Sequence, residues 1–218
     1  MSGTNSEVRS ALKAAAFWIA TVLVAPLLLS WWMRSYFLGR DRALESSAQL
    51  LALLPGLPGQ YLRRAFLART LAAFHPSATI EFGTLFSKCD ARIGENVYVG
   101  PRCHLGSVDL EADVLLAAGV HVPSGPRIHG TEDISRPIRE QPGELRTVRI
   151  GRGAWIGSAA VVMADVGRDS IVGAGAVVTN PIPERVVAGG VPARVLRNRS
   201  EAAPAGRAND LQGSCRSE

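Results

Sequence analysis

The sequence predicts an all-β solenoid, a left-handed parallel β-helix of hexapeptide repeats, with an N-terminal membrane helix and a short helical segment ahead of it. The leading observation is a period of six between Val148 and Val178. Ile150-Gly151-Arg152-Gly153-Ala154-Trp155 is followed by Ile156-Gly157-Ser158-Ala159-Ala160-Val161, and later by Val172-Gly173-Ala174-Gly175-Ala176-Val177. Each six opens on an aliphatic residue, has Gly second and a small residue fifth. Six residues make one short strand and a corner, too few for a helical repeat. The aliphatic and small residues point into a narrow prism, and the glycine accepts a backbone shape that a side chain would resist. Stacked coils then pair strand on strand, in the left-handed exception to the usual crossover rule. Two further observations complete the layout: an uncharged stretch near the N-terminus, and one long aperiodic break inside the solenoid.

Residues 1–42 form the expected membrane anchor. From Ala14 to Met33 there is no charge, and as a helix this stretch is about 30 Å long, enough to cross a bilayer. Trp18 lies near one end and Trp31, Trp32 and Tyr36 at the other, as an aromatic belt requires. Arg9 and Lys13 precede the apolar run as in a signal peptide, but no small-x-small cleavage site follows it. Arg34, Arg40, Arg42, Arg63 and Arg64 put the larger positive charge after the helix, so the rest of the chain is expected on the cytoplasmic side. A hairpin dipping into one leaflet fits the same residues. Residues 43–77 read as a helical juxtamembrane segment. Ala43 to Pro55 is helical and apolar but too short to span, Pro55 to Gly59 is a turn, and Gln60 to Phe74 is a second, arginine-rich helix with no single apolar face.

The solenoid is expected over residues 78–198. Ile80-Glu81-Phe82-Gly83-Thr84-Leu85, Ile93-Gly94-Glu95-Asn96-Val97-Tyr98 and Val99-Gly100-Pro101-Arg102-Cys103-His104 all fit the six. The period breaks at residues 123–147, PSGPRIHGTEDISRPIREQPGELRT, and resumes at Val148. A long insertion in a regular solenoid is usually functional. The periodic stretches suffice for about five triangular coils. Pro181 and Pro183 close the helix, and the polar tail, 199–218, is expected to be disordered.

The net charge of +5 is modest, and no helix-turn-helix, zinc finger or aromatic-basic pattern points to nucleic acid. A membrane surface or an acidic ligand accounts for it as well. Cys89, Cys103 and Cys215 are too few and too irregular for a disulfide framework or a metal motif.

Three runs together resemble the hexapeptide-repeat O-acetyltransferases, among them the galactoside, maltose and serine acetyltransferases. They are Trp155-Ile156-Gly157-Ser158, Val172 to Thr179, and Ala188-Gly189-Gly190-Val191-Pro192-Ala193-Arg194-Val195. The N-terminal segment, with PGLPGQYLRRAF, is similar to that of membrane-attached acetyltransferases of exopolysaccharide synthesis. The resemblance implies a homotrimer with acetyl-CoA lying between neighbouring prisms and a sugar or lipid-linked saccharide as acceptor. It implies that Ser158 and Ala174 line the cofactor groove with backbone groups and that Thr179 makes the next contact. Asn180 stands where the family has a Lys. Arg194 and Arg197 match basic positions near the phosphates of the coenzyme, where an arginine fork pairs well. No metal is implied.

Transfer of an acyl group to a hydroxyl needs a base, and imidazole suits neutral pH. His75 stands at a Pro turn before the solenoid and reads as structural. His104 and His121 are one coil apart and should stack on the outside. His129 lies in the insertion, followed by Gly130 as a catalytic His of these loops often is, and is taken as the general base. By count from the preceding coil the family's His falls nearer Arg127, so either the loop is longer before its His or the base is lost. Glu132 and Asp133 are candidates to orient the ring. An amide of the groove or the Ser158 hydroxyl is the candidate oxyanion donor. Two other readings stay open. One is a zinc enzyme like the β-helix carbonic anhydrases, using His104 and His121 with His129 approaching from a neighbouring subunit; the other is a non-catalytic trimeric scaffold tethered to a membrane.

Overall fold

The computed structural model describes residues 2–199; the tail from residue 200, with Cys215, lies outside the described residues. Three parallel sheets form the faces of a prism, as the period of six predicts. The first face holds Ala73–Phe74, Arg92–Ile93, Val108–Leu110 and Val148–Ile150, continued by single bridges at Val166 and Ile182. The second holds Thr79–Ile80, Tyr98–Val99, Leu115–Leu116, Trp155–Ile156, Ile171–Val172 and Val186–Gly189, with Arg194–Asn198 added antiparallel. The third holds Leu85–Phe86, His104–Leu105, His121–Val122, Val161–Val162 and Val177–Val178.

The register explains the repeat. Ile80, Val99, Leu116, Ile156, Val172 and Ala188 pair in one continuous column of the second face, and all are fully buried. The first two faces stack six rungs rather than five, the first beginning with Ala73–Phe74 ahead of the expected start, while the third face has five. Ala73–Phe74 is therefore a strand, not the end of the arginine-rich helix: it leaves the helix to pair with Arg92–Ile93.

The second-position glycines serve a different purpose from the one expected. Gly94 and Gly157 do not have left-handed backbones; they lie against the next coil. A Cβ on Gly157 would sit 2.5 Å from the Ala174 nitrogen. The left-handed corners fall elsewhere, at Asn96, Arg102, Asp113, Ala159, Asp169 and Arg185 among the non-glycine residues.

Three helices precede the solenoid: α1 (Ser2–Leu38) packs on α2 (Arg40–Ala52) and α3 (Gly56–Thr70), and these two pack on the first coil. The expected turn at Pro55–Gly59 is the beginning of α3, with Pro58 in the first helical turn, where no N–H is needed. Arg63 of α3 is 2% exposed. Its Nε donates to the Ile80 carbonyl at 3.1 Å, and its Nη1 to those of Leu51 at 3.1 Å and Leu54 at 2.7 Å. One side chain thus joins α3, the end of α2 and the first coil. Asp41 of α2 makes a second joint, accepting from the Cys89 amide at 2.9 Å and from Lys88 Nζ at 3.0 Å. A single apolar core runs from Ala20 and Val24 of α1 through Phe66 of α3 into the solenoid.

Candidate active site

The insertion leaves the third face after Val122 and re-enters the first at Val148. One coil earlier the same corner needs only Gly106 and Ser107. A long excursion there must satisfy its own backbone groups, and it does so by pairing its two arms. Arg146 N donates to Ser124 O at 2.9 Å, and Glu144 N to Arg127 O at 2.7 Å. Gly143 then lies so close to the other arm that a Cβ would sit 2.2 Å from the Ile128 carbonyl. Beyond this neck the buried Gln141 ties the outer loop together, donating to the carbonyls of Asp133 at 2.6 Å and Arg136 at 3.0 Å.

His129 emerges just past the neck and is exposed. It lines two cavities. One, of about 420 Å³, is shared with Arg127, Thr131, Glu132 and Glu144. The other, of about 270 Å³, is shared with Lys88, His104, His121, Ile128 and Leu145. Asp133 does not orient the ring: its carboxylate accepts from the Ser135 hydroxyl at 2.6 Å and amide at 2.9 Å, which lowers its pKa. Glu132 remains beside His129 as a wall of the larger cavity.

His104 and His121 stack on the outer side of the third face, ring centroids 4.9 Å apart. Reading them as outer residues missed that this face borders the insertion, so both share a cavity with His129. The available signal was that His121 stands two residues before the insertion. Burial, and then the neighbouring His104, lower the pKa of His121, so its ring stays neutral to lower pH. Among the described residues of the single chain no three His, Cys, Asp or Glu side chains are grouped to hold a metal ion.

The remaining candidates lie on the last coils. Ser158 and Ala174 are exposed at adjacent corners between the second and third faces, and Gly175 N donates to Ser158 O at 2.8 Å. Thr179 and Asn180 occupy the opposite edge of the third face, with Asn180 Nδ2 donating to Thr179 Oγ1 at 3.2 Å. That is the edge from which the insertion leaves, two coils earlier. Arg194 and Arg197 extend from the terminal strand on the second face and are exposed. Neither cavity beside His129 includes Ser158, Ala174, Thr179, Asn180, Arg194 or Arg197.

A family model described as the hexapeptide repeat of succinyl-transferase matches residues 91–123 and 147–180, leaving out the insertion. The galactoside O-acetyltransferase of Escherichia coli K12 is 31% identical over 164 residues, which cover 65% of this chain and 80% of that protein. Among solved structures, a maltose O-acetyltransferase from Clostridium difficile 630 superposes with a TM-score of 0.62 at 22% identity, covering 74% of this chain and 89% of its own. A galactoside acetyltransferase in complex with coenzyme A superposes with a TM-score of 0.60 at 24% identity, over 73% and 82% of the two chains.

Proposed function

Because this chain belongs to the hexapeptide-repeat acetyltransferases, with the galactoside O-acetyltransferases among its relatives, we propose that it moves an acetyl group from acetyl-CoA to a hydroxyl of a sugar or polysaccharide precursor, with His129 as the base. The observation that carries this reading is the position of His129, exposed on the one insertion that interrupts the solenoid and bordering two cavities. The acceptor hydroxyl gives its proton to the imidazole as its oxygen attacks the thioester carbonyl. The C–O bond forms, the C–S bond breaks, and the imidazolium returns the proton to the leaving thiolate. An amide at the Ser158 corner, or its hydroxyl, is the proposed donor to the oxyanion. The test is the product formed from acetyl-CoA with a panel of free and lipid-linked sugars. Acetyl esters on none of them would overturn the acceptor class.

On this reading coenzyme A lies along Ser158, Ala174, Thr179 and Asn180, with Arg194 and Arg197 toward its phosphates. Asn180 supplies a neutral amide to that groove. The double variant Arg194→Ala/Arg197→Ala is expected to weaken coenzyme A by about 10²–10⁴-fold, since each charge-assisted contact is worth about 1.5–3 kcal/mol. Coenzyme lacking its ribose phosphate should lose less. Titration calorimetry on both ligands decides it: equal losses place these arginines away from that phosphate.

The separation of the His129 cavities from those residues supports a site completed by a neighbouring subunit. A homotrimer in mild detergent is the expected state, measured by light scattering corrected for detergent. A monomer with full turnover would remove the shared site. Ala15–Leu38 is long and apolar enough to cross a membrane, which supports membrane attachment. Arg34, Arg40 and Arg42 support the solenoid lying on the cytoplasmic side.

A further inference from the structure

We infer that α1 does not cross the bilayer: it lies along one leaflet, one face on the protein and the other in the acyl chains, and holds the solenoid flat against the membrane. The inference rests on the membrane attachment proposed above and replaces its geometry.

The inner face of the apolar part of α1, Ala15–Leu38, is fastened near both of its ends. Phe17, Ala20, Val24, Leu28 and Trp31 recur at helical spacing and turn toward the core, where Ala20 is 4% and Val24 2% exposed. Near one end the Arg69 guanidinium of α3 lies over the Phe17 ring, 5.9 Å from its centroid. Near the other, Arg34 donates to the hydroxyls of Ser46 and Ser47 in α2, to the latter at 2.7 Å. Between these two joints α1 runs about 26 Å. Most of the length needed to cross the hydrocarbon is therefore spent lying on α2 and α3. Those helices cannot follow α1 into hydrocarbon, because α3 carries Arg63, Arg64 and Arg69 and is bound through Arg63 to the first coil.

The outer face is bare and apolar over the same length. Trp18, Val22, Leu29, Trp32 and Tyr36 are each at least 60% exposed. Near the end of α1, Trp31, Trp32, Tyr36 and Phe37 line an open cleft of about 680 Å³ with Arg40 at its side. Apolar and aromatic walls beside an arginine match an acyl chain below an anionic headgroup. Asp41, the acid next to Arg40, is already held by Lys88 and the Cys89 amide. An anionic leaflet is therefore the occupant that fits both the face and its charge.

The test counts labels on single molecules. The full chain on a Cys215→Ser background carries Glu95→Cys on the solenoid and one cysteine in a tag fused ahead of Met1; Cys89 and Cys103 are buried. It is bound to sealed vesicles of phosphatidylethanolamine and phosphatidylglycerol and treated with an impermeant maleimide, and the mass of the intact protein is read. The expected result is two labels on each vesicle-bound molecule. One label per molecule, with the second gained only on lysing the vesicles, would overturn the in-leaflet helix and leave membrane attachment standing. Protein that stays in the supernatant, alone or as a larger oligomer, would overturn attachment itself. A second variant, Trp32→Asp with Tyr36→Asp, is expected to reduce vesicle binding at least tenfold with the circular dichroism of the solenoid unchanged. Undiminished binding would show that this face does not meet lipid.

Discussion

Replacing His129 with Ala should lower acetyl transfer by about 10²–10⁴-fold while leaving the fold and coenzyme A affinity nearly unchanged. Its side chain is exposed beyond the neck of the insertion, so its removal leaves no cavity in the core. Arg127, the other basic side chain lining the same cavity, is permanently charged and cannot accept a proton. His121 is the serious competitor. It borders the smaller cavity with His129, and burial beside His104 keeps its ring neutral to lower pH. Single-turnover rates for His129→Ala and His121→Ala, with coenzyme A binding measured in parallel, separate the two. Loss of turnover only in His121→Ala would move the base onto the solenoid face.

Arg63→Met is the substitution expected to cost the most stability, about 3–5 kcal/mol. The methionine fills much of the same space but donates nothing. The carbonyls of Ile80, Leu51 and Leu54 would then lose the charged donor that joins α2, α3 and the first coil. Arg42→Met is the control: its side chain is exposed, and a change of less than about 0.5 kcal/mol is expected. Chemical denaturation of the full chain in mild detergent gives both values. A similar, small shift for the two variants would mean that the three carbonyls find other partners and that Arg63 is not the joint.

The repeat was legible because its residues are the ones that bury. Val99, Leu116, Ile156 and Val172 announce the column they form, since one residue in each coil must fill the prism. The site was legible only in part. His129 stood out because it lies where the period fails, but His104 and His121 point outward, where period six says nothing about what lies opposite. The neck was hidden because it depends on a pairing of arms, Ser124 with Arg146 and Arg127 with Glu144, between residues that carry no local pattern. The role of α3 was hidden for a similar reason. Arg63 spoils the apolar face that would identify a packed helix, yet it is buried because three carbonyls receive it. The second-position glycines were recognised by place, whereas their cause, the coil lying directly against them, needed three dimensions.

The neck also divides the insertion into a pinned base and an outer loop with different tolerance of change. Its paired arms and Gly143 fix the point at which His129 leaves the solenoid, whatever lies beyond. Thr131 to Glu140 form the outer loop, held by bonds within itself and to Gln141. A change of length or sequence in that outer stretch is therefore expected to leave the exit point of His129 in place. The same boundary suits laboratory grafting: loops exchanged between relatives distal to His129 and Gln141 keep their anchor, whereas a cut made inside the neck would not.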